Sequence, residues 1–159
     1  MKIEAILLAI TLPALCGCDS RRPSGSRAAE ATGRSQTREV DSALETALTP
    51  VASIEDAFEN HRSNIQILAK GAVTRLLPDD ITGDKHQRMI LELANGHTLL
   101  VAHNIGIAER VPASVLGGTI YVHGEYEWNP RGGVVHWTHH DPTNAHAGGW
   151  IQYKGVRYE

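Results

Sequence analysis

From Asn64 onward, apolar and polar residues alternate in short runs, the period of half-buried strands rather than of helices. Asn64 to Leu77 puts Ile65, Ile67, Ala69 and Val73 on one side. Gly71 interrupts this run and predicts a bulge or bend, as where a strand wraps round a small closed sheet. His86 to Leu93 and His97 to His103 flank Asn95-Gly96, a strong two-residue hairpin signal. Asn104 to Gly118 loses the alternation and keeps Ile105, Ile107, Val111 and Val115 as apolar anchors. Thr119 to Trp128 and Val134 to His140 read as a second hairpin around Asn129-Pro130-Arg131-Gly132-Gly133, which is turn chemistry. Trp150 to Tyr158 predicts a small last hairpin at Lys154-Gly155. Ahead of the strands, Ile54, Ala57, Phe58 and His61 share one helical face. Ser53 with Asp56 three residues on reads as the cap of a helix over Ile54 to Arg62. This order predicts a mainly β domain over 51–159, a small five-stranded antiparallel barrel of OB-like type with a short N-terminal helix. An SH3-like barrel or an open roll fits the spacings almost as well.

The second hairpin holds the chemistry. Ile120, Val122, Tyr126 and Trp128 point one way with Val135 and Trp137, an apolar face for the core. Tyr121, His123, Glu125 and Glu127 point the other way, with His136, Thr138 and His140. A slip of one residue exchanges the two faces. With a four-residue loop, Asn129 pairs with Val134, Glu127 faces His136, Glu125 faces Thr138 and His123 faces His140. Directly opposed Cβ atoms lie about 4.5–5.5 Å apart.

Three uses of that face are open. The first is a divalent metal such as zinc, held by His123, Glu125, His140 and Asp141, with His103 coming in from a neighbouring strand. Three such ligands and an open position suit metal-assisted hydrolysis. No tight spacing such as His-Glu-x-x-His occurs, and His136 lies roughly 13 Å along an extended strand from His140. The second is acid/base catalysis by Glu127 and His136, with Arg88 and Arg131 clamping a phosphate, as in a phosphodiesterase or nuclease. The third is a binding face, with Arg88, Trp128, Arg131 and Trp137 meeting a small molecule, a glycan or a protein. Against these stands a plain structural or protein-interaction module, whose polar pairs are half-exposed and worth about 0.2–1 kcal/mol each. The expectation is a domain that binds a ligand or metal ion through this His/Glu-rich hairpin.

Composition adds two points. Seven of the eight aromatics follow residue 120, so the core is weighted to the C-terminal half. A net charge of -3 supplies no basic stripe, and nucleic acid is not the favoured partner.

The N-terminus reads as an address. Ile6 to Leu15 is apolar but too short to span a bilayer. It runs into Leu15-Cys16-Gly17-Cys18, which resembles a bacterial lipoprotein signal. That resemblance implies cleavage before Cys18, a lipid on its sulfur and a membrane-anchored protein facing the periplasm. Asp19 after the acylated Cys resembles the feature that retains enterobacterial lipoproteins at the inner membrane. On this reading Cys16 is discarded, Cys18 is blocked and the mature chain has no disulfide. Residues 19–50, rich in Ser, Arg, Ala, Thr and Glu without aromatics, read as a disordered tether, with transient helix over Glu39 to Leu48.

Four runs together resemble a known family. They are His86-Gln87-Arg88, Ala102-His103-Asn104-Ile105, Gly124-Glu125-Tyr126-Glu127-Trp128-Asn129, and Gly132 through Pro142. The chain is similar through them to the bacterial DUF3465 family over roughly Ile54 to Tyr158. The resemblance implies an exported small β domain and brings no established activity and no assigned site residues.

Overall fold

β1, Ile65–Asp80, has two partners in turn. Its first half pairs antiparallel with β4, Thr119–Glu127, from Ile65↔Tyr126 to Ala72↔Thr119. Its second half pairs antiparallel with β2, His86–Glu92, from Ala72↔Glu92 to Asp80↔His86. The hand-over lies beside Gly71, where a Cβ would run into the Glu92 carbonyl oxygen, so the strands approach too closely for any other residue. The expected bend is therefore where β1 changes partner.

In this computed structural model residues 39–141 and 143–159 are described, all within the unit Gln36–Glu159. The signal segment, the lipidation site Cys18 and most of the expected tether lie outside the described residues. No helix among the described residues is long and apolar enough to cross a membrane.

β2 pairs antiparallel with β3, Thr98–Asn104, around Asn95-Gly96. β3 runs parallel to β5, Val134–His136, and β5 runs antiparallel to β4. The pairings thus return to β1, and five strands close a ring. β6, Trp150–Tyr153, pairs with β4 at Ile120 to His123, and β7, Val156–Tyr158, pairs with β6. The sheet is seven-stranded and mixed, which corrects the expectation of five purely antiparallel strands. The reason is one of parity. Directions that alternate cannot close round an odd number of strands, so one neighbouring pair must be parallel, and here it is β3 with β5.

The inward side chains are those the alternation selects. Ile67, Ala69, Val73, Met89, Leu91, Leu99, Val101, Ile120, Val122, Tyr126 and Val135 are all buried. A helix over 39–47, α1, buries Leu44, and its Glu45 pairs with Lys70 and accepts the Tyr121 hydroxyl. The packed chain therefore begins ahead of Val51, the expected domain start. α2, Val51–Glu59, adds Ile54 and Ala57 to the core. It starts behind Pro50 rather than at Ser53. Ser53 donates its backbone N–H to the Pro50 carbonyl and makes no side-chain cap, because proline already presets the first turn. In the 105–118 connector, Gln87 holds Val111 by two bonds: its amide N–H₂ donates to the Val111 carbonyl at 2.8 Å, and its oxygen accepts the Val111 N–H at 3.0 Å. Ile107, expected as an anchor, is exposed.

As far as His136 the central hairpin keeps the expected faces but not the expected partners; beyond it Thr138, expected on the outer face, is fully buried. Glu125 pairs with His136, Tyr126 with Val135 and Glu127 with Val134, two residues from the expected register. Gly132 and Gly133 both have positive φ, 109° and 101°, and stay in the loop. β5 ends at His136 rather than His140 for two reasons. Trp137 adopts φ 49°, and β6 takes over the β4 edge with His123↔Trp150. That turn swings Trp137 out of the expected core, leaving it 37% exposed.

Gly133 lies against the ring of Tyr126, where a Cβ would collide with it. Tyr126 itself is fully buried, and its hydroxyl has no hydrogen-bond partner among the described residues. Gly133→Ala is expected to cost at least about 2 kcal/mol through backbone strain and overpacking. Tyr126→Phe, which removes an unsatisfied oxygen and little volume, is expected to cost less than about 0.5 kcal/mol. Urea unfolding of both variants checks the pair, and equal losses would sink this account of the packing.

Candidate functional site

Outside the ring, β2, β3, β5 and β4 lie side by side and present their outward residues in rows. Arg88 pairs with Ala102, Ile90 with Leu100, Leu100 with Val134, Val134 with Glu127, and His136 with Glu125. Leu100, Ala102 and Val134 lie in the middle, with Arg88 on the β2 side and Glu125 and Glu127 on the β4 side. The result is a cavity of about 290 Å³, floored by Leu100, Ala102 and Val134. Glu127 and His136 form one wall, and Asp80, His86 and Arg88 form the other.

Glu125 lies beside the first wall, and one ligand atom each from Glu125, Glu127 and His136 lies within 4.8 Å of the others. His136 Nε2 is 3.8 Å from Glu125 Oε1, too long for a hydrogen bond. That nitrogen is buried and has no hydrogen-bond partner among the described residues. Burial holds the His136 imidazole below its ordinary pKa, against the pull of Glu125 and Glu127, so the ring is neutral and keeps a lone pair. On the second wall, His86 Nδ1 is 2.8 Å from the Asp84 carbonyl. A carbonyl only accepts, so Nδ1 donates to it and the ring is held in place. Arg88 donates Nε to the Pro78 carbonyl at 2.9 Å, which fixes the guanidinium at the cavity edge.

The other expected site residues are dispersed. His123 is half-buried against Trp150, with ring centroids 5.7 Å apart, and His140 is exposed beyond the end of β5, so the expected cross-strand pair does not form. Asp141 is buried, but its carboxylate is taken up by its own loop, accepting the Thr143 N–H and hydroxyl and the His146 N–H. The Thr143 hydroxyl, with the His146 backbone N–H, holds that carboxyl well below the usual carboxylate range. His103 is fully buried and both its nitrogens are engaged, Nδ1 at 2.9 Å from Thr138 Oγ1 and Nε2 at 2.9 Å from the Glu109 carbonyl. It is a strut between β3, the connector and the segment after β5, with no lone pair to offer a metal. Trp128 packs on His61 at 4.2 Å and donates its indole N–H to the Phe58 carbonyl, so its ring serves the end of α2. Trp137 stacks on His146 at 4.1 Å, and Arg131 lies in the 128–133 loop.

Sequence reasoning left two cavity residues, His86 and Asp80, and the loop residue His146 unassigned. His86 could have been found, because buried Gln87, Met89 and Leu91 alternate with it and set it beside Arg88 on the outward face. Asp80 faces His86 across β1 and β2, but only the irregular register near Leu77 brings it there. His146 carried no signal, since it comes from an irregular loop.

Those residues and that ring lie in a segment with a family assignment. A family described as a protein of unknown function, DUF3465, matches residues 41–159. The chain belongs to the DUF3465 family. The match starts within α1, in agreement with the packing of Leu44 and Glu45 on the ring. No curated protein matches the chain.

His103 also sets a pH dependence. Burial lowers its pKa from 6.5, partly offset by the bond to the Glu109 carbonyl, while His139 and His86 lower it further. A histidine depressed in the native state binds fewer protons than the unfolded chain below pH 6.5. Stability is therefore retained above that pH and is lost as the pH falls from there towards the native value. Urea midpoints measured from pH 7.5 down to 5 are expected to fall, and less steeply in His103→Gln. A flat profile in the parent chain would remove this role.

Proposed function

We propose that this chain is a lipid-anchored envelope protein whose small OB-like β-barrel binds a divalent cation on its outer face, through Glu125, Glu127 and His136. The barrel reading is supported by the order of pairings, β1-β2-β3-β5-β4 and back to β1, with its one parallel pair; a five-stranded Greek-key barrel closes in this way. The cation reading rests on one observation. A neutral imidazole nitrogen, buried and without a hydrogen-bond partner, lies with two carboxylates in a 4.8 Å cluster. Left unmade, such a bond costs about 1–3 kcal/mol, which a bound cation offsets. Imidazole with carboxylates suits zinc or manganese, and three protein ligands leave positions open to a second molecule.

The anchor is read from Leu15 to Cys18 alone. Cys18→Ser is expected to shift the protein from the membrane to the soluble fraction of a bacterial host. Unchanged fractionation would remove the lipid.

The cation is tested on the full chain purified in detergent without a His tag. Zinc or manganese titrated calorimetrically is expected to bind at one equivalent. His136→Ala and Glu125→Gln are each expected to weaken it at least about tenfold, while His140→Ala leaves it unchanged. Equal binding in all variants, or none in the parent, refutes the site and leaves the interaction-module reading.

A further inference from the structure

The wall opposite the carboxylates remains unused by the cation. Arg88 and Leu100 line not one cavity but two, since a second of about 360 Å³ continues from them along the same face. Its floor is apolar, from Leu77, Ile90 and Leu100, and Pro130 and Arg131 of the β4–β5 loop overhang it. Together the two fall in the ~300–1,000 Å³ range of small-molecule sites. A larger cavity of about 530 Å³ lies by α1 and α2, but there Lys70 already pairs with Glu45. Along the outer groove Arg88 and Arg131 form no ion pair among the described residues, although Asp80 shares the Arg88 wall and Asp79 feels the Arg88 charge. Among the described residues Nε is the only Arg88 guanidinium nitrogen in a hydrogen bond.

We infer that this groove takes an organic phosphate ester, its phosphoryl group between Arg88 and the Glu125–Glu127–His136 cluster and its apolar body on the shelf of Leu77, Ile90 and Leu100. The inference rests on the cation reading at its phosphoryl end. Guanidinium groups match phosphate oxygens through paired N–H donors, and a divalent ion with open positions takes a further oxygen. Without the cation, Glu125 and Glu127 repel the same phosphate. Cation and phosphate ester therefore bind cooperatively, and each raises the affinity for the other by the same factor. The apolar shelf selects an ester over inorganic phosphate, because Ile90 and Leu100 are only half-buried and line the open cavity.

Phenyl phosphate is the probe, titrated calorimetrically into the full chain in detergent with manganese or with EDTA. Saturable binding is expected with manganese, weaker by about tenfold or more in EDTA, and tighter than that of inorganic phosphate. Arg88→Gln should lose at least about tenfold in phenyl phosphate affinity while manganese uptake, measured without the ester, stays unchanged. Arg131→Gln, at an exposed loop position, gives a second reading if Arg88→Gln fails to fold. Ile90→Glu should abolish the preference for phenyl phosphate over inorganic phosphate. The inference fails if manganese-loaded protein ignores phenyl phosphate, if binding is equal in EDTA, or if folded Arg88 and Arg131 variants bind like the parent. Manganese uptake without phenyl phosphate binding overturns this inference and leaves the cation reading standing. No manganese uptake overturns the cation reading first.

Discussion

β1 belongs to both sides of the ring at once, and the rest of the domain follows from that. A strand of 16 residues cannot stay flat and serve β4 at one end and β2 at the other. It must turn, and the turn brings its backbone against Glu92 at Gly71. Once β1 has closed on β4, the β4–β5 hairpin has a single free edge facing β3, and parity makes that contact parallel. The outward groove is thus a consequence of closure, since the β3–β5 pairing is a link of the ring. Their meeting sets Ala102 and Leu100 between the Arg88 wall and the Glu127–His136 wall.

Strands were legible in the sequence because each needs only its own alternation. The faces of Thr119 to Glu127 and of Gln87 to Leu91 could be read directly, and every expected inward residue of β4 from Ile120 to Tyr126 is buried. Partners were not legible in the same way. The pairing of His136 depends on how many loop residues Gly132 and Gly133 withdraw from the strand, and their positive φ is a tertiary outcome set by contact with Tyr126 and Thr98. The end of β5 depends on β6, a strand further down the chain that competes for the same edge of β4. Local pattern has no means of weighing that competition, so the expected strand runs on to His140 whereas the observed one stops at His136.

The error in register was two residues, and its size explains what survived. A shift of two keeps every side chain on its own face. Glu125, Glu127 and His136 therefore remained neighbours although their pairings changed, with His136 opposite Glu125 instead of Glu127. Residues that needed a specific opposite number, His123 with His140, lost it. Histidine count was a poor guide for the same reason. His103, with both nitrogens bonded, holds the fold, whereas His136 is left with an unbonded nitrogen on a charged face.

The groove separates charge across an uncharged floor, and this arrangement argues against reading its members as ordinary surface pairs. Exposed opposite charges that come within reach pair elsewhere in this chain, Arg110 with Asp79 and Arg62 with Asp56. Arg88 does not reach Glu127, because Leu100, Ala102 and Val134 intervene and Pro78 holds its Nε. Glu125 and Glu127 on one side are kept from the pinned guanidinium on the other, where Asp80 stands beside Arg88. Such a separation leaves a field across the gap, and the species that lowers its energy most is one carrying both signs in sequence, a cation beside the carboxylates and an anion beside the arginine.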